Sequence, residues 1–441
     1  MNARKIIVEI LDNVFYNAAY SNIELTKRLN RDNVNDKDKG LITEIVYGTV
    51  RYKDKIDFII KNFIKDVKLV EPRILNILRA TVYQIMFLDR VPSYAAVNEA
   101  VQLAKEVSFN SSKFVNGVLR NILRNQDKDF YKGLEPRKAM AVNYSFPNWM
   151  VDLFINQYGM DVAKKIMHNL NNTPNVTVRV NELKGDYDEV FTSLEENGYD
   201  IAEGVICPEA IQINKGSNVE NNSLFKDGYI TVQDESAMLI APNMDIEEGM
   251  KVLDLCSAPG GKTTHISELL NNTGTVIACD IYDHKINLIK ENCDRLGITN
   301  VEYKIQDATQ ENKEFIKFAD RVLIDVPCSG LGIIRKKPEI KWTKKKEDLH
   351  SLTKIQREIM VNSWEYLKDE GIMFYSTCTL NKHENEDNIN WFISQHKDAI
   401  IEKMYFGKAD NIVYNENGTV TILPTEAMDG FFLAKIKKVS R

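Results

Sequence analysis

Apolar residues recur at helical spacing through the first third of the chain. Ile6, Ile7, Ile10, Leu11 and Val14 form one such set. Leu41, Ile42, Ile45 and Val46 form a second, and Ile74, Leu75, Leu78, Val82 and Ile85 a third. Strand-like alternation is absent there, and Pro72 and Pro92 stand between the periodic stretches. The pattern predicts an all-α domain over residues 1–135. The character then changes. Residues 175–181 alternate as a strand does, 188–197 read as a helix stopped by Gly198, and 210–213 read as another strand. A small α/β linking domain over 140–225 is expected, closed by turns at Asn221-Asn222-Ser223 and Lys226-Asp227-Gly228. From 230 to 441 strands alternate with helices. The strands fall at 252–255, 276–279, 320–324 and 371–375, and a helix starts from Thr264. That alternation predicts a doubly wound, Rossmann-like α/β domain.

Composition narrows the class. The chain has 441 residues, 44% hydrophobic and 27% charged, which suits a globular protein of two or three domains. No apolar run reaches the roughly 18 residues a membrane span needs, so no membrane partner is expected. Met1-Asn2-Ala3-Arg4-Lys5 leads straight into the amphipathic pattern with no signal core, so a cytoplasmic protein is expected. Cys207, Cys256, Cys279, Cys293, Cys328 and Cys378 include no C-x-x-C pair, which predicts free thiols and no metal. The net charge of −6 argues mildly against a nucleic-acid partner. Local charge matters more for docking a phosphate backbone. The stretch from Arg335 to Lys346 is strongly basic. Within it Arg335, Lys337, Lys341 and Trp342 are candidate RNA contacts, with Arg179 a further one.

A glycine loop, Cys256-Ser257-Ala258-Pro259-Gly260-Gly261-Lys262, joins the first strand of the last domain to its helix. Glycines let the backbone approach a ligand, and the helix N-terminus beyond favours a negative group. Asp280 ends the next strand, where a carboxylate can accept from both ribose hydroxyls. A nucleoside-containing cofactor is implied. The loop lacks the G-x-G-x-x-G of nicotinamide sites, and Cys256 stands where a Walker loop needs its first glycine.

Two further motifs carry thiols at predicted strand ends: Asp325-Val326-Pro327-Cys328-Ser329-Gly330 and Ser376-Thr377-Cys378-Thr379. A thiolate added to carbon 6 of cytosine makes carbon 5 nucleophilic enough to take a methyl group, and a second thiol can help release the product. Asp325 is the candidate acid for the ring nitrogen.

Asp254-Leu255-Cys256-Ser257-Ala258-Pro259-Gly260-Gly261-Lys262-Thr263 resembles the cofactor loop of S-adenosylmethionine-dependent RNA 5-cytosine methyltransferases. Upstream, Ala96-Val97-Asn98-Glu99-Ala100-Val101-Gln102-Leu103-Ala104-Lys105 and Lys113-Phe114-Val115-Asn116-Gly117-Val118-Leu119-Arg120 resemble the RNA-binding factor NusB. Joined in this order, the blocks resemble the RsmB (Sun/Fmu) family, which modifies 16S ribosomal RNA. The resemblance implies that Cys256, Ser257, Ala258, Pro259, Gly260, Gly261 and Lys262 line the S-adenosylmethionine site. It implies that Asp280 holds the ribose, Asp307 the adenine edge, and that Asp325 lies beside the methyl donor and the target base. By the same resemblance Cys378 is the nucleophile and Cys328 serves product release. The implied partner is 16S rRNA, free or in an early assembly particle, and the protein is expected to be a monomer. Alternatives are another rRNA or tRNA cytidine, an amino-group methyltransferase, and a non-enzymatic assembly factor. Asn381-x-x-Glu384 reads as a helix capping box, His383 as a surface residue, and Phe431-Phe432 as core.

Overall fold

A computed structural model describes residues 2–32 and 34–440; Met1, Asn33 and Arg441 lie outside the described residues. The chain divides into two compact units. The first holds the residues up to Asn171 together with Ile334–Lys344, and the second holds Asn172–Ile333 together with the chain from Lys345 onward.

The first unit is helical. Its opening helix, Ala3–Tyr16, starts where the Asn2 side chain accepts from the Arg4 N–H. Ile6, Ile7, Ile10, Leu11 and Val14 are buried along one face. Burying a side chain of this size contributes roughly 1.5–3 kcal/mol, which outweighs any propensity term in a helix this short. Pro72 occupies the first turn of the helix Pro72–Phe87, where its missing N–H costs nothing. The helical run does not stop near 135. Helices Pro136–Tyr144, Asn148–Tyr158 and Met160–Asn169 follow in the same unit, and strand structure begins at Val176, where the alternation of 175–181 placed it. The signal was present: Phe146, Met150, Val151 and Phe154 repeat at helical spacing, and all are buried.

Two sheets build the second unit. The smaller is antiparallel, in the order β2-β3-β1-β4, from β1 (Val176–Val180), β2 (Asp200–Glu203), β3 (Ala210–Lys215) and β4 (Ile230–Val232). The helix Tyr187–Glu196 packs Val190 and Leu194 into its core with Val178, Val180, Ile211 and Ile213.

The larger sheet holds β5 (Lys251–Asp254), β6 (Thr275–Asp280), β7 (Val301–Ile305), β8 (Ala319–Asp325), β9 (Leu367–Thr377), β10 (Ala399–Glu402), β11 (Ile412–Tyr414), β12 (Val420–Ile422) and β13 (Phe431–Lys438). Its order is β11-β12-β13-β9-β8-β5-β6-β7, with β10 paired to β13. The β9-β8-β5-β6-β7 block is parallel, and β13 runs antiparallel beside β9. From β5 the chain first builds outward through β6 and β7, then returns to β8 on the other side. The strand order therefore reverses between β5 and β8, where such sheets open a crevice beyond their carboxyl ends. The core strands carry near-continuous apolar runs, as burial on both faces requires: Val322, Leu323 and Ile324 in β8, and Ile372 to Tyr375 in β9.

Candidate active site

Both thiols stand just past the carboxyl ends of neighbouring strands. β8 pairs with β9 in parallel, with Asp325 opposite Ser376. Cys328 follows the end of β8 by a short turn and Cys378 is the residue after β9. The register brings the Cys328 and Cys378 sulfurs to 3.2 Å. Gly332 fixes the turn: its N–H donates to the Cys378 carbonyl at 2.9 Å. A Cβ there would come within 1.9 Å of the Gly430 carbonyl oxygen, so only glycine fits this crossing.

Asp325 is held on both oxygens. Ser376 Oγ donates to Oδ1 at 2.8 Å and Lys262 Nζ to Oδ2 at 2.6 Å. Burial would lower the Lys262 pKa, but Asp325 and then Asp254 outweigh it and hold the ammonium above its ordinary value. Its Nζ also lies 5.6 Å from the centre of the Phe431 ring. Phe431 is buried, as the sequence suggested for this aromatic pair, yet it reaches the site. The Cys328 thiol is pushed well above its ordinary pKa, first by its hydrogen bond with Cys378 and then by burial.

Beside these groups a cavity of about 580 Å³ opens at the ends of β5, β6 and β7. Cys256, Ala258, Asp280, Tyr282, Asp307 and Asp325 are among its walls. Gly260, at φ +105°, caps the helix Gly261–Leu269, and a Cβ there would press on Ile289 at 3.2 Å. The tight turn keeps the loop backbone against the cavity. Four carboxylates around it, Asp280, Asp307, Asp325 and Glu358, suit a ligand that brings a cationic centre and hydroxyl donors, as a sulfonium nucleoside does. Of the loop residues expected at the cofactor, Ser257 turns away: its hydroxyl donates to the Asp254 and Cys279 carbonyls. Ser257, Pro259, Gly260, Gly261 and Lys262 shape the loop without lining the cavity. Asp280 lies near Lys285 Nζ at 3.4 Å, and Asp307 accepts from the Thr309 N–H and hydroxyl.

Several expected RNA contacts are corrected by burial. Arg335 and Lys341 are each 1% exposed. Lys341 Nζ donates to Asn171 Oδ1 at 2.6 Å and to the Arg51 carbonyl at 3.1 Å. Trp342 donates to the Val50 carbonyl at 2.7 Å and packs on the helical core. Arg335 and Lys341, so enclosed, cannot follow a phosphate backbone, whereas Trp342 is only partly buried. Lys337 is partly exposed, with its ammonium 5.9 Å from the Tyr20 ring centre. Arg179 is also buried, bound to Glu268, Gln233 and the Gly261 carbonyl. His383 is exposed and sits 2.6 Å from Asp387, as a surface residue should.

Asn381 and Glu384 form no capping box. The Glu384 side chain is buried and accepts from Ser329, Gln356 and the Asn381 amide rather than from the Asn381 N–H. The helix itself starts at Glu386. Ser376, Tyr282 and Asp254 also escaped the sequence reading as site residues. Each lies in or next to a motif that was read for its neighbour.

Comparison with known proteins assigns the chain to one family. Residues 239–437 match a family model described as 16S rRNA methyltransferase RsmB/F. Residues 1–124 match the NusB family, and 146–220 a ferredoxin-like domain of RsmF/B-like methyltransferases. A Bacillus subtilis relative named "Probable ribosomal RNA small subunit methyltransferase B" is 37% identical, covering 99% of both chains. The ribosomal RNA small subunit methyltransferase B of Proteus mirabilis is 32% identical, covering 92% of each. Among solved structures, PH0851 superposes with a TM-score of 0.85 at 25% identity, covering 99% of both chains. A methyltransferase homologue from Pyrococcus horikoshii gives 0.61 at 25% identity, covering 69% of this chain and all of the other. With relatives this close over its full length, and with the strand order and paired thiols described above, the chain belongs to the RsmB/F family of 16S rRNA methyltransferases.

Proposed function

We propose that the protein methylates carbon 5 of a cytidine in 16S rRNA, using S-adenosylmethionine and a covalent bond from Cys378 to carbon 6. The observation that carries this reading is the pair of sulfurs 3.2 Å apart, beside the Lys262–Asp325 ion pair and the cofactor cavity. The names of its relatives support the RNA substrate, and a protein acting on ribosomal RNA would work in the cytoplasm.

S-adenosylmethionine, when bound, supplies the methyl group from its sulfonium centre. Cys256, Ala258, Asp280 and Asp307 would hold it against the ends of β5 and β6. Cys378 attacks carbon 6 as the thiolate. Ring nitrogen 3 receives a proton that Lys262 supplies through Asp325, to which it is bonded at 2.6 Å. Once carbon 5 carries the methyl group, its remaining proton must leave. Cys328 gives its own proton to the departing Cys378 sulfur and takes the carbon-5 proton in exchange. The carbon 5–carbon 6 double bond re-forms as the carbon–sulfur bond breaks, and the proton on ring nitrogen 3 returns through Asp325 to Lys262. The target base must be unstacked to reach this pocket. The helical N-terminal unit widens the RNA footprint.

The test is transfer from labelled S-adenosylmethionine to unmodified 16S rRNA, followed by nucleoside analysis. Label in 5-methylcytidine is expected. Label in an N-methylated nucleoside would mean that the thiols serve no covalent step.

A further inference from the structure

Glu384 is fully buried and lies outside every role assigned above. Among the described residues it forms no ion pair. Its charge is met instead by hydrogen-bond donors. Oε2 accepts from the Ser329 N–H at 2.9 Å and from Gln356 Nε2 at 2.9 Å. Oε1 accepts from Ser329 Oγ at 2.5 Å and from Asn381 Nδ2 at 3.0 Å. Each oxygen therefore grips Ser329, the residue next to Cys328. Gln356, through the same amide nitrogen, also donates to the Pro327 carbonyl at 2.9 Å. The residues on both sides of Cys328 are thus fixed to one carboxylate.

The same network reaches Cys378. Ser329 Oγ and Thr379 Oγ1 lie 2.7 Å apart. Asn385, next to Glu384, donates to the Thr379 carbonyl at 2.9 Å and accepts from Thr377 Oγ1 at 2.7 Å. Tyr375 Oη donates to the Glu384 carbonyl at 2.5 Å. A buried carboxylate without a cation costs several kcal/mol unless donors surround it, as they do here. Replacing it with apolar packing would be cheaper for stability alone. The arrangement makes sense if the turn it fixes must be held in one place.

We propose that Glu384 is a positioning residue: it clamps the Pro327-Cys328-Ser329 turn so that the Cys328 sulfur stays against Cys378 for product release. The proposal rests on the covalent mechanism above. Loss of the clamp should leave attack by Cys378 in place and slow the release step.

The test uses the full-length protein with S-adenosylmethionine and unmodified 16S rRNA. Turnover is measured, and the covalent protein–RNA adduct is read on a denaturing gel. Losing hydrogen bonds to a charged group corresponds to about 10–100-fold, and Glu384→Ala should lower turnover by that order. The adduct should accumulate in it, while S-adenosylmethionine affinity stays within about 2-fold of the original. Glu384→Gln keeps one acceptor oxygen and should fall between the two; it carries the test if the alanine variant does not fold. Cys328→Ala is the control. If it traps an adduct and neither Glu384 variant does, the positioning role is wrong. Turnover at the original rate in both Glu384 variants would equally overturn it. If Cys328→Ala traps none, the covalent reading beneath the proposal has failed instead.

Discussion

Asp254 ends β5 with one carboxylate oxygen accepting from Thr263 Oγ1 at 2.7 Å and the other without a hydrogen-bond partner. Burial pushes its pKa up to about 6, from an ordinary 3.8. The folded protein therefore binds this proton more tightly than the unfolded chain does. Asp254 contributes stability below about pH 3.8, and that contribution is lost as pH rises through about 6. The change is on the order of 3 kcal/mol. Asp254→Asn removes the titration. The difference in Tm, variant minus original, should grow more positive from pH 4 to pH 7 without cofactor. Parallel curves would show that Asp254 does not titrate in this way. At this scale the sequence was informative where a residue type has few uses. Paired thiols and strand-end aspartates in a doubly wound domain point to chemistry before any coordinates exist. Lysine and arginine are harder, because one charge can bind phosphate, a carboxylate or a backbone carbonyl. Lys341 and Arg335 looked like a basic surface and are interior.

At the scale of elements, Arg179 shows what β1 brings to the second unit. Its guanidinium donates to Glu268 at 2.6 and 3.1 Å and to Thr264 Oγ1 at 3.1 Å, which ties the small sheet to the helix Gly261–Leu269. That helix carries Lys262. Removing one partner of a buried ion pair leaves the other charge uncompensated. Arg179→Ala should lower the unfolding free energy by roughly 3–5 kcal/mol in urea titration. A loss below about 1 kcal/mol would mean that Glu268 finds another partner. The long central strands and the helix Tyr187–Glu196 were legible because their apolar spacing is strong. β2, β11 and β12 were not, since three or four residues carry little periodicity. Glu384 misled for another reason. A carboxylate three residues after asparagine reads as a cap, and only the fold brings Ser329 beside it.

Over the whole molecule, the segment Ile334–Lys344 belongs with the helical unit although the sequence around it belongs to the other. Its partners Val50 and Arg51 lie far away in sequence, so no local pattern announces the excursion. The fold class of each part was nonetheless readable, because helix periodicity and βα alternation are global signals. The central claim concerns one bond, between Cys378 and carbon 6 of a cytidine. The most direct measurement isolates the protein–RNA adduct formed by Cys328→Ala with 16S rRNA and S-adenosylmethionine, digests both components, and locates the nucleotide by mass spectrometry. The account predicts a methylated cytidine on the peptide that contains Cys378, and no adduct when Cys378→Ala is added. A nucleotide on any other residue, or an adduct that survives the loss of Cys378, would contradict it.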